Sequence, residues 1–383
     1  MKPRRILIFS LVYYHRFVSG AELAVKEVTD RISDQEIQFD LIALNGGHEK
    51  EVERIGNTTV YRIFKKVGKF QKLFFPFVAF FRAVKLNRQN RYDAIWSIMA
   101  NYAGFATLFF KITHSKIPFV LTLQEGDPFS YIKKRVGFLY PLFKMIFTHV
   151  DHIQAISNYL ADWARDMGAT CPIYVIPNAV DWELFSKPIS NERSLELKQK
   201  LGKKSDDIFL VHTGRLTIKN ALKDVVDALQ FLPQNVKLIL IGQGEEEDNL
   251  KKQISDLKLD ERVMFAGFMD HQEMSEYLKV CDIFIRPSLS EGLGNSFLEA
   301  MASGIPVVAT PVGGIPDFLI DGETGLFCEV KNPKSIVQKV EKLIKDKESR
   351  EYIVGNAKKI VQSKYQWKDT ATKMRGIFLE KIR

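Results

Sequence analysis

Three cysteines in 383 residues, Cys171, Cys281 and Cys328, are too few and too scattered for a disulfide framework or a thiolate metal site. A chain working in a reducing cytoplasm is expected. No apolar leader with a small-residue cleavage site opens the chain, because Lys2, Arg4 and Arg5 run straight into a short strand-like segment; no secretory signal is predicted. The uncharged stretch Ala94 to Phe110, which no other exceeds in length, contains Ser97, Asn101 and Thr107 and reads as strand, loop and helix, so no transmembrane helix is predicted. The first strand is not followed by Gly-x-Gly-x-x-Gly, which excludes a dinucleotide fingerprint there. Asp-x-Asp occurs nowhere, and no other carboxylate pair has the look of a metal–nucleotide site; metal-independent chemistry without a resident cofactor is expected. His149 and His152 are three apart, but His152 begins a strand-like run, and both are read as structural. No RNA- or DNA-binding motif is present, so no nucleic-acid partner is expected.

The length and a 46% hydrophobic composition are enough for two buried cores. Short branched or aromatic runs alternate with longer helical patterns. The strand candidates are Ile6–Phe9, Phe39–Leu44, Ala94–Met99, Phe119–Leu123 and Tyr174–Ile176, then Phe209–Thr213, Lys237–Ile241, Val263–Ala266, Ile283–Arg286 and Val307–Thr310. Alternation of this kind predicts an α/β protein with parallel sheets and right-handed crossovers. The pattern restarts after the charged segment Lys187–Lys204, which reads as a linker. Two Rossmann-like domains are therefore expected, 1–185 and 186–363, with a C-terminal helix at about 364–383 packing back onto the first and ligands held in a cleft between facing sheets. The net charge of +9 is uneven: residues 1–180 hold 24 Lys/Arg against 15 Asp/Glu, and residues 181–383 hold 31 of each.

Glu291-Gly-Leu-Gly-Asn-Ser-Phe-Leu-Glu299 is the densest chemical signal. It follows the apolar run Asp282-Ile-Phe-Ile-Arg-Pro-Ser288, whose proline ends a strand. Gly292 and Gly294 free the backbone to turn N–H groups toward a ligand, and the helix opening at Ser296 points its positive dipole end the same way. Such a turn suits phosphate or sugar hydroxyls. Glu291 is a candidate to face a sugar, and Glu299 to hold a ribose diol. An ordinary capping box would account for Ser296 and Glu299 equally well. Farther back, Gly214-Arg-Leu-Thr-Ile-Lys219-Asn220 follows another strand and offers Arg215 as a bidentate phosphate ligand, with Lys219 as a point charge.

The Glu-x7-Glu spacing, the following Ala300-Met-Ala-Ser-Gly-Ile-Pro-Val-Val-Ala-Thr310 and the run Pro311-Val-Gly-Gly-Ile-Pro-Asp317 resemble the signature of family 4 retaining glycosyltransferases of the GT-B fold. The resemblance implies that Arg215, Lys219 and the Gly292-Leu293-Gly294-Asn295 turn bind the donor diphosphate, Glu299 the ribose and Glu291 the donor sugar. It also implies a base held at Gly267 and Phe268, just past a strand. Ser19-Gly20-Ala-Glu22 stands where the family has a Gly-Gly turn near the diphosphate and acceptor; Gly20 matches and Ser19 does not, and a capping box explains the same four residues. Gln124 sits where the family usually shows histidine, so positioning is open to it and proton shuttling is not. Ala179 and Ala221 replace family glycines. Asn178 is read as part of a Pro-Asn turn and Gly242-Gln-Gly244 as structural.

The expected function is thus retaining transfer of a hexosyl or N-acetylhexosaminyl unit from a nucleoside-diphosphate sugar to a glycan or lipid-linked acceptor in cell-surface polysaccharide or glycolipid synthesis. A nucleotide-sugar epimerase of the same architecture and a non-catalytic nucleotide-sugar-binding protein are the alternatives. Cations interleave with aromatics from Lys65 to Arg82 and again from Tyr131 to Phe143. An anionic membrane surface is the expected partner, with peripheral attachment to the inner face of the plasma membrane.

Overall fold

The computed structural model describes residues 2–14, 20–47 and 49–382. The chain forms two compact units, one of residues 1–178 with 367–383 and one of residues 179–366.

The first unit is built on eight strands: β1 (Arg4–Phe9), β2 (Ile37–Leu44), β3 (Val52–Ile55), β4 (Thr58–Ile63), β5 (Ala94–Ile98), β6 (Phe119–Leu123), β7 (His152–Ala155) and β8 (Ile173–Val175). They form one sheet in the order β3-β4-β2-β1-β5-β6-β7-β8. All neighbours are parallel except the hairpin β3–β4. The central strands are apolar along both faces because helices cover both, and Ile6 to Phe9 are at most 1% exposed. The helices are α1 (Gly20–Asp30), α2 (Lys69–Asn90), α3 (Tyr102–Thr113), α4 (Phe129–Val136), α5 (Tyr140–Thr148) and α6 (Asn158–Asp166). The β3–β4 hairpin lies outside the strand candidates because its residues are largely polar. Its register comes from the Gly56–Asn57 turn, in which Gly56 has φ 56° and the Asn57 N–H donates to the Asp30 carboxylate at 2.8 Å. Met99, expected as a strand end, instead turns at φ 69° just beyond β5.

The second unit holds β9 (Ile208–Thr213), β10 (Val236–Ile241), β11 (Val263–Gly267), β12 (Ile283–Arg286), β13 (Val307–Ala309) and β14 (Leu326–Phe327). Their order is β11-β10-β9-β12-β13-β14, parallel throughout. The helices are α7 (Trp182–Ser186), α8 (Asn191–Lys200), α9 (Leu222–Leu229), α10 (Glu247–Asp256), α11 (His271–Leu278), α12 (Asn295–Ser303), α13 (Pro333–Lys345) and α14 (Lys347–Lys364). Helix α9 shows the sequence logic: Leu222, Val225, Val226 and Leu229 recur every three or four residues, and all four are buried with Leu210, Leu238 and Val340. The domain boundary expected at 185 falls inside α7, which Asp181 caps and which packs on α11 and α12 of the second unit. The expected linker is likewise mostly helix, since Ser190 caps α8.

A last helix, α15 (Trp367–Gly376), and a closing π-helical turn, Ile377–Lys381, belong to the first unit. They pack on α1, place Met374 and Phe378 in the β1–β2 core, and pair Arg375 with Glu36.

Candidate functional site

In each sheet the strand order reverses direction once, between β1 and β5 and between β9 and β12. Loops leaving the carboxyl ends of strands at such a reversal diverge and leave a crevice, the usual ligand site of open α/β sheets. In the second unit these loops are residues 214–221 and 287–294, the two that carry Arg215, Lys219 and Glu291.

Arg286, the last residue of β12, ties them together. Its guanidinium is buried, forms an ion pair with Glu291 and donates to Asn220 Oδ1 at 3.1 Å and Ser296 Oγ at 2.7 Å. The charge also lies 5.2 Å from the centre of the Phe297 ring. Asn220 extends the link: its Nδ2 donates to the Arg215 carbonyl at 2.5 Å, while the Leu289 N–H donates to the Lys219 carbonyl at 2.7 Å. Arg215 itself is exposed and Lys219 half-buried. Sequence reasoning passed over Arg286, although a lone cation at the end of an otherwise apolar strand was its signal.

Glu291 is 7% exposed; its second oxygen accepts from the Gly292 N–H at 3.0 Å. That amide is therefore committed to the carboxylate, a correction to the expectation that it faces a ligand. Gly294, and not Gly292, carries the positive φ, at 91°. Gly313 explains how the loop is held from behind: the Gly314 N–H donates to the Glu291 carbonyl at 3.2 Å, and a Cβ at Gly313 would lie 1.8 Å from that oxygen. Leu293 is buried; Gly294 and Asn295 are half-buried.

The capping-box alternative for Ser296 and Glu299 fails. Gly294 occupies the N-cap of α12, no side chain caps the helix, and Ser296 faces Arg286. Glu299 is 6% exposed and has His271 Nε2 at 3.5 Å from its carboxylate. The first turn of α12 thus presents backbone N–H groups without a side-chain cap. Beneath the loops, His212 at the end of β9 is fully buried, and burial, followed by the charge of Arg286, pushes its pKa down to about 3.

Gly242 and Gly244 back the 214–216 loop. The Leu216 N–H donates to the Gln243 carbonyl at 3.0 Å, and a Cβ at Gly242 would lie 1.9 Å from the Gly214 carbonyl oxygen. Ala221, in place of a family glycine, adopts φ 51° and ψ 39°. At the end of β11, Gly267 has φ 72°, and Phe268 is 72% exposed beside a cavity of about 270 Å³ lined in part by Lys200, Met264 and Tyr277.

In the first unit, Gly20 is the exposed first residue of α1 and Glu22 is buried in its first turn, while Ser19, the capping residue of the expected Ser19–Glu22 box, lies outside the described residues. Gln124 follows β6, and its side-chain oxygen accepts from Asn178 Nδ2 at 3.1 Å. The neighbouring Glu125 was not expected. It is buried, accepts from the Ala100 N–H at 2.5 Å and the Gln124 N–H at 2.9 Å, and so bridges the ends of β5 and β6. Burial raises its pKa to about 7 against the opposing pull of those N–H groups. His149 ends α5 and His152 starts β7, so the pair shares no helix face. Among the described residues, no three His, Cys, Asp or Glu side chains converge as a metal site.

Two largely parallel sheets, the second with a carboxylate-bearing turn and a basic loop at its strand-order reversal, are the architecture of the GT-B fold. Two family profiles divide the chain: Glycosyltransferase Family 4 matches residues 18–184, and Glycosyl transferases group 1 matches residues 194–360. The chain belongs to the family 4 glycosyltransferases. An uncharacterized glycosyltransferase of Methanocaldococcus jannaschii is 26% identical over 99% of both chains. The alpha-monoglucosyldiacylglycerol synthase of Streptococcus pneumoniae is 27% identical over 80% of this chain and 70% of its own. Anabaena HepE, solved in complex with UDP-glucose, shares the fold with a TM-score of 0.79 at 20% identity, over 97% of this chain and 98% of its own.

Proposed function

We propose that the chain transfers a hexosyl or N-acetylhexosaminyl unit from a nucleoside-diphosphate sugar to a glycan or lipid-linked acceptor, with retention at the anomeric carbon and without a metal. The setting proposed is cell-surface polysaccharide or glycolipid synthesis at the cytoplasmic face of an anionic membrane. The observation that carries the reading is the meeting, at the β9/β12 reversal, of a basic loop, an uncapped helix start and a carboxylate pinned by a buried arginine. The likeness to a fold solved with UDP-glucose supports the donor class, and the relative that makes a glucosyl lipid supports the acceptor class.

In this account the anomeric C–O bond breaks with its electron pair passing to the diphosphate. The acceptor oxygen forms the new bond, and its proton passes to a departing phosphate oxygen. Arg215, Lys219 and the first amides of α12 neutralise the charge that develops on the leaving group; such fixed donors contribute most where the charge appears. Glu291 faces the donor sugar, held in one orientation by Arg286 and the Gly292 N–H. Glu299 accepts from the ribose hydroxyls, and Gly267 and Phe268 hold the base. Gly20 and Gln124 serve the acceptor or diphosphate side of the first unit.

A thermal-shift titration with UDP, GDP and ADP tests the donor site. Ligand at a hundred times its Kd stabilises the folded state by about 2.7 kcal/mol, so one of the three should raise Tm by several degrees in wild type and much less in Arg215→Ala. No shift from any of them at millimolar concentration would overturn the assignment.

A further inference from the structure

We propose that α2, supported by α4 of the same unit, is a docking surface for a bilayer containing anionic lipids. Helix α2 is apolar on two sides. Phe75, Ala79, Ala83 and Leu86 face inward and are buried. Phe70, Leu73, Phe74, Phe77, Val78 and Phe81 are 37–68% exposed. Their spacing of three and four residues lines them up as one outer stripe, about 16 Å long at 1.5 Å per residue. Single exposed apolar residues are ordinary on a protein surface, but a contiguous row of six, rimmed by charge, marks a contact face. The rings also touch one another, with Phe70 and Phe74 centred 4.4 Å apart and Phe77 stacked on Phe109 of α3 at 5.6 Å.

The charge around the stripe has one sign. Between Glu53 and Asp93 the chain has ten Lys/Arg and no Asp or Glu. Lys65, Lys66 and Lys69 are exposed at the start of the stripe. Helix α4 repeats the combination: Lys133, Lys134 and Arg135 are exposed, Phe138 just after it is 91% exposed, and no acid occurs between Asp127 and Asp151. Helices α2, α3, α5 and α4 are successive packing neighbours.

This chemistry selects the occupant. A second copy of the same face would bring like charges together. A polyanionic glycan would satisfy the cations and leave the aromatic stripe without a partner. Anionic lipid headgroups over an acyl interior satisfy both, with the apolar face entering to interfacial depth. No helix among the described residues is long and apolar enough to cross a membrane, so the contact is made at the surface. The proposal extends the lipid-linked acceptor reading, and binding measured without donor or acceptor keeps failure of one distinct from failure of the other.

The test is flotation of the full chain with vesicles of phosphatidylcholine alone or with phosphatidylglycerol, at low and moderate salt. The expected result is at least tenfold stronger partitioning onto the anionic vesicles, weakened by salt. The variant F74S/F77S/F81S should lose about tenfold, and so should K65Q/K66Q/K69Q, whose exposed lysines can be changed without disturbing the core. Both should keep wild-type turnover on a soluble acceptor. Equal partitioning of wild type and the lysine variant would overturn the proposal. So would a wild-type dimer, abolished by the phenylalanine substitutions, with no vesicle binding, or binding to a soluble polyanion with none to vesicles.

Discussion

Replacing Arg286 by methionine removes the charge that forms a direct ion pair with Glu291, and the structure sets the size of the effect. Both side chains of the pair are only 9% exposed, so the variant leaves a carboxylate buried without its cation, a change that costs about 3–5 kcal/mol. Asn220 Oδ1 and Ser296 Oγ lose a donor as well. For a unit of this size each kcal/mol lowers Tm by roughly 2–4 °C, so the second unit should melt about 10 °C earlier. The double variant Arg286→Met/Glu291→Gln should recover most of that loss, since the uncharged pair no longer needs compensation and the Gln oxygen still accepts from the Gly292 N–H. Scanning calorimetry and urea unfolding of the four proteins give the coupling energy, expected at about 2 kcal/mol or more. An Arg286→Met protein within 1 kcal/mol of wild type, or a double variant as unstable as the sum of the singles, would refute the reasoning.

Three further expectations concern the proposed site. Arg215→Ala and Lys219→Ala should each lose roughly 2–4 kcal/mol of transition-state stabilisation, and turnover within a few-fold of wild type in steady-state assays would remove them from the diphosphate site. Glu299→Gln should chiefly raise the donor KM, and Glu291→Gln should chiefly lower kcat; identical changes in both constants for both variants would show that the two carboxylates have no separate roles. Glu125, with its pKa raised to about 7 by burial, is easier to protonate folded than unfolded, so ionising it costs the fold about 3 kcal/mol in total, lost as pH rises from about 4.5 to 7. The Tm of Glu125→Gln relative to wild type should therefore rise between pH 5 and 8 in a thermal-shift series. His212, neutral in the fold, acts in the opposite sense below about pH 6.5 but is common to both proteins and cancels in the difference.

Most of the parallel strands were legible because burial on both faces demands short, largely apolar runs, such as Phe209-Leu-Val211 and Ile283-Phe-Ile285; β4, β7 and β14, which are more polar or only two residues long, were not among the candidates. The β3–β4 hairpin was not, since its residues are polar and its signal is confined to a two-residue Gly-Asn turn. The loop around Glu291 was read correctly as a tight turn into a helix, and the details of that turn were misassigned. Ser-x-x-Glu fits a capping box by spacing, but Ser296 answers to Arg286, a strand residue beside it only in three dimensions. Ala221 could be seen to replace a glycine, yet only the backbone shows that it keeps the left-handed conformation, at a cost of roughly 1 kcal/mol for a residue with a Cβ. Glu125 was hidden for a related reason. Nothing in Gln124-Glu125-Gly126 says that the carboxylate turns inward to the Ala100 N–H rather than out to water.

Retaining sugar transfer from a nucleotide donor is tested most directly by product analysis of the purified chain with a panel of UDP-, GDP- and ADP-sugars and a glycan or lipid acceptor. Mass spectrometry should find free nucleoside diphosphate in equal amount to an acceptor heavier by one hexosyl or N-acetylhexosaminyl unit, and NMR should find the new linkage with the anomeric configuration of the donor. A donor sugar isomerised without transfer, or a linkage of inverted configuration, would contradict it.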